Sequence, residues 1–199
     1  MCVTSVLCFC NTNLKDEGRL TMPIKTKGIN HPALFGKNLD ETIKFYTEVL
    51  GMELVLRQPN LEEPRLTHLF FSAGNGAFIA FFIPNDDSGL EIPVGSEGIG
   101  SMQHLALNLD VPIEEAMETL KQNKIEIKGP IDRGYECSLY FHDPNGIKLE
   151  LMSWKTPLPV GADEANVIAR AQDIRENEDA YNIEDEHVRK AMAELGFPI

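Results

Sequence analysis

HPALFGKNLDETIKFY (residues 31–46) and HLALNLDVPIEEAMETL (residues 104–120) are one passage written twice. Each opens on His-x-Ala-Leu, continues as a short apolar run, and places an Asp, Asp40 or Asp110, near the start of a stretch with helical periodicity. In the first copy Ile43, Tyr46, Val49 and Leu50 make one helical face, Asp40 is the expected N-cap, and Gly51 is the expected stop. In the second, Pro112 sits in the first turn and Ile113, Met117 and Leu120 make the face.

The same order of signals extends outward from both copies. After the first come MELVLRQ (52–58), a break at EEP (62–64), and RLTHLFFSAGNGAFIAFFIP (65–84), which reads as two strands around Gly74-Asn75-Gly76. After the second come KIEIKGP (124–130) and ECSLYFHDPNGIKLELM (136–152), two strands around Asp143-Pro144-Asn145-Gly146. Each copy is therefore βαβββ, over residues 28–83 and 100–152. They are joined by a linker rich in Pro, Gly, Asp and Ser (84–98). The expected class is α+β: two repeats forming an open, cupped eight-stranded mixed sheet with helices on one side, followed by a helical C-terminal tail. The expected division is an N-terminal extension (1–21), disordered or preceding a natural start at Met22, then a domain (22–155) and an acidic tail (156–199).

Composition narrows the partners. The chain has 199 residues and a net charge of −13, which disfavours nucleic acid and anionic membrane surfaces. The tail alone carries ten acidic and four basic residues. The apolar start MCVTSVLCFC (1–10) has no basic residue before it and no cleavage signal after it, and it is too short to span a bilayer. Three of the four cysteines crowd this start at spacings that match no zinc motif. A reducing, cytoplasmic setting is expected.

Strand parity sorts the chemistry-bearing residues. In 103–110 the parity Leu105, Leu107, Leu109 packs on a helix, which leaves His104 opposite. In 147–152, Ile147, Leu149 and Leu151 oppose Lys148, Glu150 and Met152; in 138–142, Leu139 and Phe141 oppose Ser138, Tyr140 and His142. His31 and His104 open the two repeats and Glu150 lies on the last strand. Two imidazoles and one carboxylate on a shared concave face would make a three-ligand metal set with open coordination positions, suited to Fe(II), Mn(II) or Zn(II). The intervals of 73 and 46 residues are not themselves diagnostic. Phe78, Ala80 and Phe82 share a parity that would line a pocket for a planar small molecule. His68 and His187 read as a non-ligand and a surface residue. His142 is placed at the substrate edge, while Arg133 and Tyr135 could reach a substrate but read first as solvated loop.

Together, HPALFGKNLDETIKFYTEVLGMEL, HLALNLD and DPNGIKLELM resemble the vicinal oxygen chelate superfamily: glyoxalase I, bleomycin and fosfomycin resistance proteins, and extradiol ring-cleaving dioxygenases. The resemblance covers roughly residues 28–152. It implies metal ligation by His31, His104 and Glu150, most simply of Fe(II), and a homodimer as possible assembly. Glyoxalase I adds a fourth-strand Glu, which falls on Ala80; a three-ligand set is closer to the extradiol branch. That branch also carries a Tyr ten residues before the ligand Glu, which is Tyr140, expected to contact substrate. Its outer acid–base His would fall at Gly76-Ala77-Phe78 and a further His at Ile131, and neither is present. The resemblance thus implies a ring-cleaving dioxygenase acting on a catechol-like diol, with a glyoxalase-like lyase or isomerase as alternative and a non-catalytic binding protein as a third possibility.

Overall fold

The computed structural model describes residues 24–199, so the expectation for residues 1–21 lies outside the described part. The first repeat forms β1 (Ala33–Phe35), α1 (Leu39–Lys44), β2 (Glu53–Pro59), β3 (Leu66–Ser72) and β4 (Phe78–Pro84). The second forms β5 (Leu105–Asn108), α2 (Ile113–Gln122), β6 (Lys128–Asp132), β7 (Glu136–His142) and β8 (Lys148–Trp154). The helices α3 (Ala162–Asn177) and α4 (Asp185–Leu195) follow. The expected α+β arrangement is present. Its eight strands are laid out as two open four-stranded sheets with identical topology, β1-β4-β3-β2 and β5-β8-β7-β6. In each, the first strand runs parallel to the last and the remaining pairs are antiparallel.

The alternating strands put one parity inside. Leu69, Phe71, Ile79, Phe81 and Ile83 of the first sheet and Leu139, Phe141, Leu149 and Leu151 of the second share a single core with Phe45, Tyr46, Ala116 and Leu120. The two sheets thus pack their helix-bearing sides together, and the opposite faces of both are left open. Asn38, not Asp40, caps α1: its side chain accepts from the Glu41 N–H at 2.9 Å, and Asp40 lies in the first turn, where a negative charge favours the helix dipole. The helix widens over Phe45–Val49 into a π-turn, closed by Leu50 N–H donating to the Phe45 carbonyl. The wider turn allows both Phe45 and Tyr46 to face the core.

The DPNG turn between β7 and β8 also clasps the two repeats. Buried Asp143 accepts from the backbone N–H of Asn145 (2.9 Å) and Ile147 (2.7 Å), from the Asn145 amide (2.9 Å) and from the Tyr46 hydroxyl (3.2 Å). Asn145 in turn accepts from Lys37 N–H at 2.9 Å. Burial pushes the Asp143 carboxyl up, against the hydrogen bonds that hold it down. Burial also pushes up the Tyr46 hydroxyl, and neighbouring Asp143 adds to this. Asp143→Ala leaves several donors without an acceptor, one of them the buried Tyr46 hydroxyl. It is expected to cost about 3 kcal/mol, read as a lowered urea midpoint at unchanged slope.

The tail folds as a helical hairpin with its own small core of Val167, Ala171, Ile174, Val188, Ala191 and Met192, against which Tyr135, Leu158, Ile183 and Phe197 pack. His187 is not a surface residue. It is 5% exposed, and its Nδ1 accepts from Glu184 N–H at 2.8 Å in a capping box at the start of α4. No helix of the described residues is long and apolar enough to cross a membrane.

Candidate active site

The open face of the second sheet gathers three of the sequence-derived residues. Cross-strand register sets Tyr140 opposite Glu150 and His142 opposite Lys148, while Ala106 of β5 pairs with Glu150 on its other side. His104 enters just before β5. Its Nε2 lies 2.7 Å from Glu150 Oε2, and the Tyr140 hydroxyl donates to Glu150 Oε1 at 2.5 Å. The His104 Nδ1 rests on the Gln103 side-chain oxygen. Arg133, from the β6–β7 turn, donates through Nη2 to the Tyr140 hydroxyl at 3.0 Å. Four side chains therefore form a continuous chain: His104, Glu150, Tyr140, Arg133.

The electrostatics favour an ionised Glu150. Burial alone would push its carboxyl up; the adjacent Ser138 and Tyr140 hydroxyls, His104 and Arg133 outweigh this and hold it below the usual carboxylate range. Burial and the hydrogen bond to Glu150 keep Tyr140 protonated by pushing its hydroxyl up. The buried Ser138 hydroxyl makes no well-formed hydrogen bond of its own, so its influence on Glu150 is one of proximity.

The remaining predicted residues lie on the other sheet. His31 precedes β1, is exposed, donates through Nδ1 to Asn30 Oδ1 (2.6 Å), and sits with its ring centroid 4.9 Å from that of Phe70. Phe78, Ala80 and Phe82 occupy the same face of β4. Phe78 stacks on Phe70 at 5.6 Å and Phe82 on His68 at 4.4 Å. Ala80 is fully buried between Ala33 and Phe70 and offers no donor atom where a fourth ligand would fall. His68 belongs to this aromatic face, and its Nε2 is buried without a hydrogen-bond partner; burial, then the charge of His31, lowers its pKa. His142 is exposed at the rim.

Donor chemistry on the second sheet suits a divalent cation. Two ligands bonded at about 2.1 Å at right angles stand about 3 Å apart, close to the observed separation of His104 and Glu150. Within one chain the set stops at two. Among the described residues no group of three or more His, Cys, Asp and Glu side chains is placed to hold a metal, because His31 is on the other sheet. Within the described chain His31 does not join His104 and Glu150. The sequence allows Arg133 to reach a substrate but favours a solvated loop, since parity says nothing about where a turn residue points.

A profile of the Glyoxalase/Bleomycin resistance protein/Dioxygenase superfamily matches residues 28–151. The chain belongs to that superfamily. Among its relatives, "Putative ring-cleaving dioxygenase MhqA" of Bacillus subtilis (strain 168) is 29% identical over 136 residues, covering 64% of this chain and 40% of the relative. A lactoylglutathione lyase of Salmonella typhimurium is 30% identical over 133 residues, covering 63% of this chain and 91% of the relative. The crystal structure of a glyoxalase family protein from Enterococcus faecalis superposes with a TM-score of 0.52 at 29% identity, over 63% of this chain and 97% of that one. The chain thus spans only two-fifths of the ring-cleaving relative. The superfamily includes dioxygenases, lyases and metallothiol transferases. The helical hairpin lies beyond the matched residues.

Proposed function

We propose that the chain is a metal-dependent enzyme that cleaves the ring of a catechol-like diol, with a site shared between two copies. The observation that carries this reading is the His104–Glu150–Tyr140 chain on an open sheet face, together with the missing third ligand. Each copy carries two half-sites: His104, Glu150 and Tyr140 on one sheet, His31 among aromatic side chains on the other. A two-fold dimer that sets these faces against each other would complete the set with the partner subunit's His31, and twice over by symmetry. Its aromatic lining, Phe78 and Phe82, would cover a planar substrate.

Held there, Fe(II), or Mn(II) or Zn(II) in its place, would polarise a chelating diol and bring dioxygen beside the ring. The chain's own residues have separate tasks. Ionised Glu150 and the His104 imidazole provide the donor atoms. Tyr140, kept protonated, offers a hydroxyl hydrogen to charge that builds on a substrate oxygen. Tyr140→Phe is expected to lower kcat/KM about 10- to 100-fold, the worth of one hydrogen bond to a charged group, with metal content unchanged. Metal lost along with activity would instead place Tyr140 in the ligand scaffold.

A second reading, a lyase or isomerase of glyoxalase type, is favoured by size: the match spans nearly all of the lactoylglutathione lyase but only part of the ring-cleaving relative. Against it stands Ala80 where a fourth ligand is needed. Oxygen uptake separates the two. Iron-loaded protein that consumes dioxygen with catechols and turns over nothing under strict anaerobiosis fits the first reading. Turnover without oxygen rejects it.

A further inference from the structure

We infer that Arg133 and Lys148 form an anion-recognition pair, so that the substrate of this site carries a carboxylate beside its reacting oxygens. The inference rests on reading this face as the active site and adds the substrate's charge.

Two cations converge on one ring in a chain whose net charge is −13. The Arg133 guanidinium carbon lies 5.8 Å from the Tyr140 ring centroid and Lys148 Nζ lies 5.3 Å from it. Arg133 is only loosely paired, its Nε lying 3.6 Å from Glu136, and Lys148 is in none of the ion pairs among the described residues. The nearby Glu150 is already engaged by His104 and Tyr140. A guanidinium presents five donors in a planar fork; here one of them reaches Tyr140, and the side chain is 46% exposed toward solvent. Lys148 and His104 also line a cleft of about 900 Å³ at the edge of this face. Lys148 at this cleft and the half-exposed Arg133 near Tyr140 can both attract an anion to this face, and an Arg fork matches a carboxylate bidentately.

The Arg133 turn is not a free loop. Asp132 accepts from Gly134 N–H at 2.7 Å and pairs with Lys155 at 2.7 Å; Arg133 N–H donates to the Glu136 carbonyl at 3.0 Å. The C-terminal hairpin grips it from outside. Asp185 N–H donates to the Gly134 carbonyl at 3.2 Å, the Thr156 hydroxyl donates to Asp185 at 2.7 Å, and Tyr135 packs into the hairpin core. A side chain at Gly134 would collide with Glu184. The tail thereby holds the turn at a fixed height over Tyr140, which reduces the entropy lost when Arg133 binds a ligand.

Trp154, the only tryptophan, stacks on Tyr135 at 5.7 Å and reports on this turn by its fluorescence. The test titrates the protein as purified with benzoate and with its neutral isostere benzamide, read by Trp154 fluorescence and by calorimetry. Wild type is expected to bind benzoate at least about tenfold more tightly, the worth of one charge-assisted contact. Arg133→Gln and Lys148→Gln should each cut the preference several-fold, the double variant should erase it, and Arg133→Lys should keep part of it, all with wild-type melting temperatures. A wild type without preference, including one that binds neither probe, overturns the inference, as does a preference that survives in the double variant. The titrations are repeated after chelator treatment, so that benzoate is not held through a cation and the outcome is separate from metal content and oxygen uptake, which test the reading of the site itself.

Discussion

Glu150→Ala is expected to abolish both metal retention and turnover. Glu150 is the one carboxylate of the proposed set, and it is 5% exposed, ionised and already hydrogen-bonded to His104 and Tyr140. Removing it leaves two neutral imidazoles, on different sheets, to hold a dication. Outer hydrogen-bond partners of metal ligands alone command roughly 10- to 100-fold in affinity, so loss of a charged ligand is expected to exceed the upper figure. Elemental analysis after dialysis, with activity measured on the same sample, reads both effects. Glu150→Ala protein that keeps stoichiometric metal would show that the cation is held elsewhere. The fold should persist, since Ala106 and Tyr140 flank the position through backbone pairing that the substitution leaves intact.

His31→Ala is expected to cost as much activity as His104→Ala, although no described contact joins His31 to the second sheet. This is the least intuitive consequence of a shared site. Taken alone, one chain predicts that His31, exposed and bonded only to its neighbour Asn30, is dispensable. In the proposed dimer it would bind the same cation as the partner's His104 and Glu150. The loss should appear in metal content by more than about 100-fold in affinity and leave thermal stability of the unloaded protein unchanged, because His31 packs only loosely against Phe70.

The repeats, the order of strands and the inward parity could all be read before any coordinates, because a half-buried strand must alternate and a hairpin must turn on Gly or Asn. Leu139, Phe141, Leu149 and Leu151 went inside, and Tyr140 and Glu150 outside, for that reason alone. The cap of α1 was misplaced by two residues: Asn38 and Asp40 are both good caps in isolation, and the choice between them depends on where Lys37 docks on Asn145, more than 100 residues away. His187 sits in an acidic run that reads as solvated, yet it is buried at the start of α4 in the capping box with Glu184. Arg133 could be named as within reach of a substrate but not preferred over a solvated loop, for the same kind of reason. Its position is set by contacts of its turn with Lys155 and Asp185, none of which leaves a periodic trace in the chain. The site's donor atoms could be named from the repeat, but their distribution between two open faces could not, since parity assigns a side of a sheet and is silent on which sheets face each other.

The shared site is tested most directly by mixing two inactive proteins. His31→Ala and Glu150→Ala are unfolded together, refolded in equal amounts and assayed with iron. Random pairing makes half of all dimers mixed, and in a mixed dimer one site carries both defects while the other carries neither. The account predicts recovery of about one quarter of wild-type activity and metal, and none when either variant is refolded alone. A mixture as inactive as its components would contradict it, and would mean that each copy builds its site by itself.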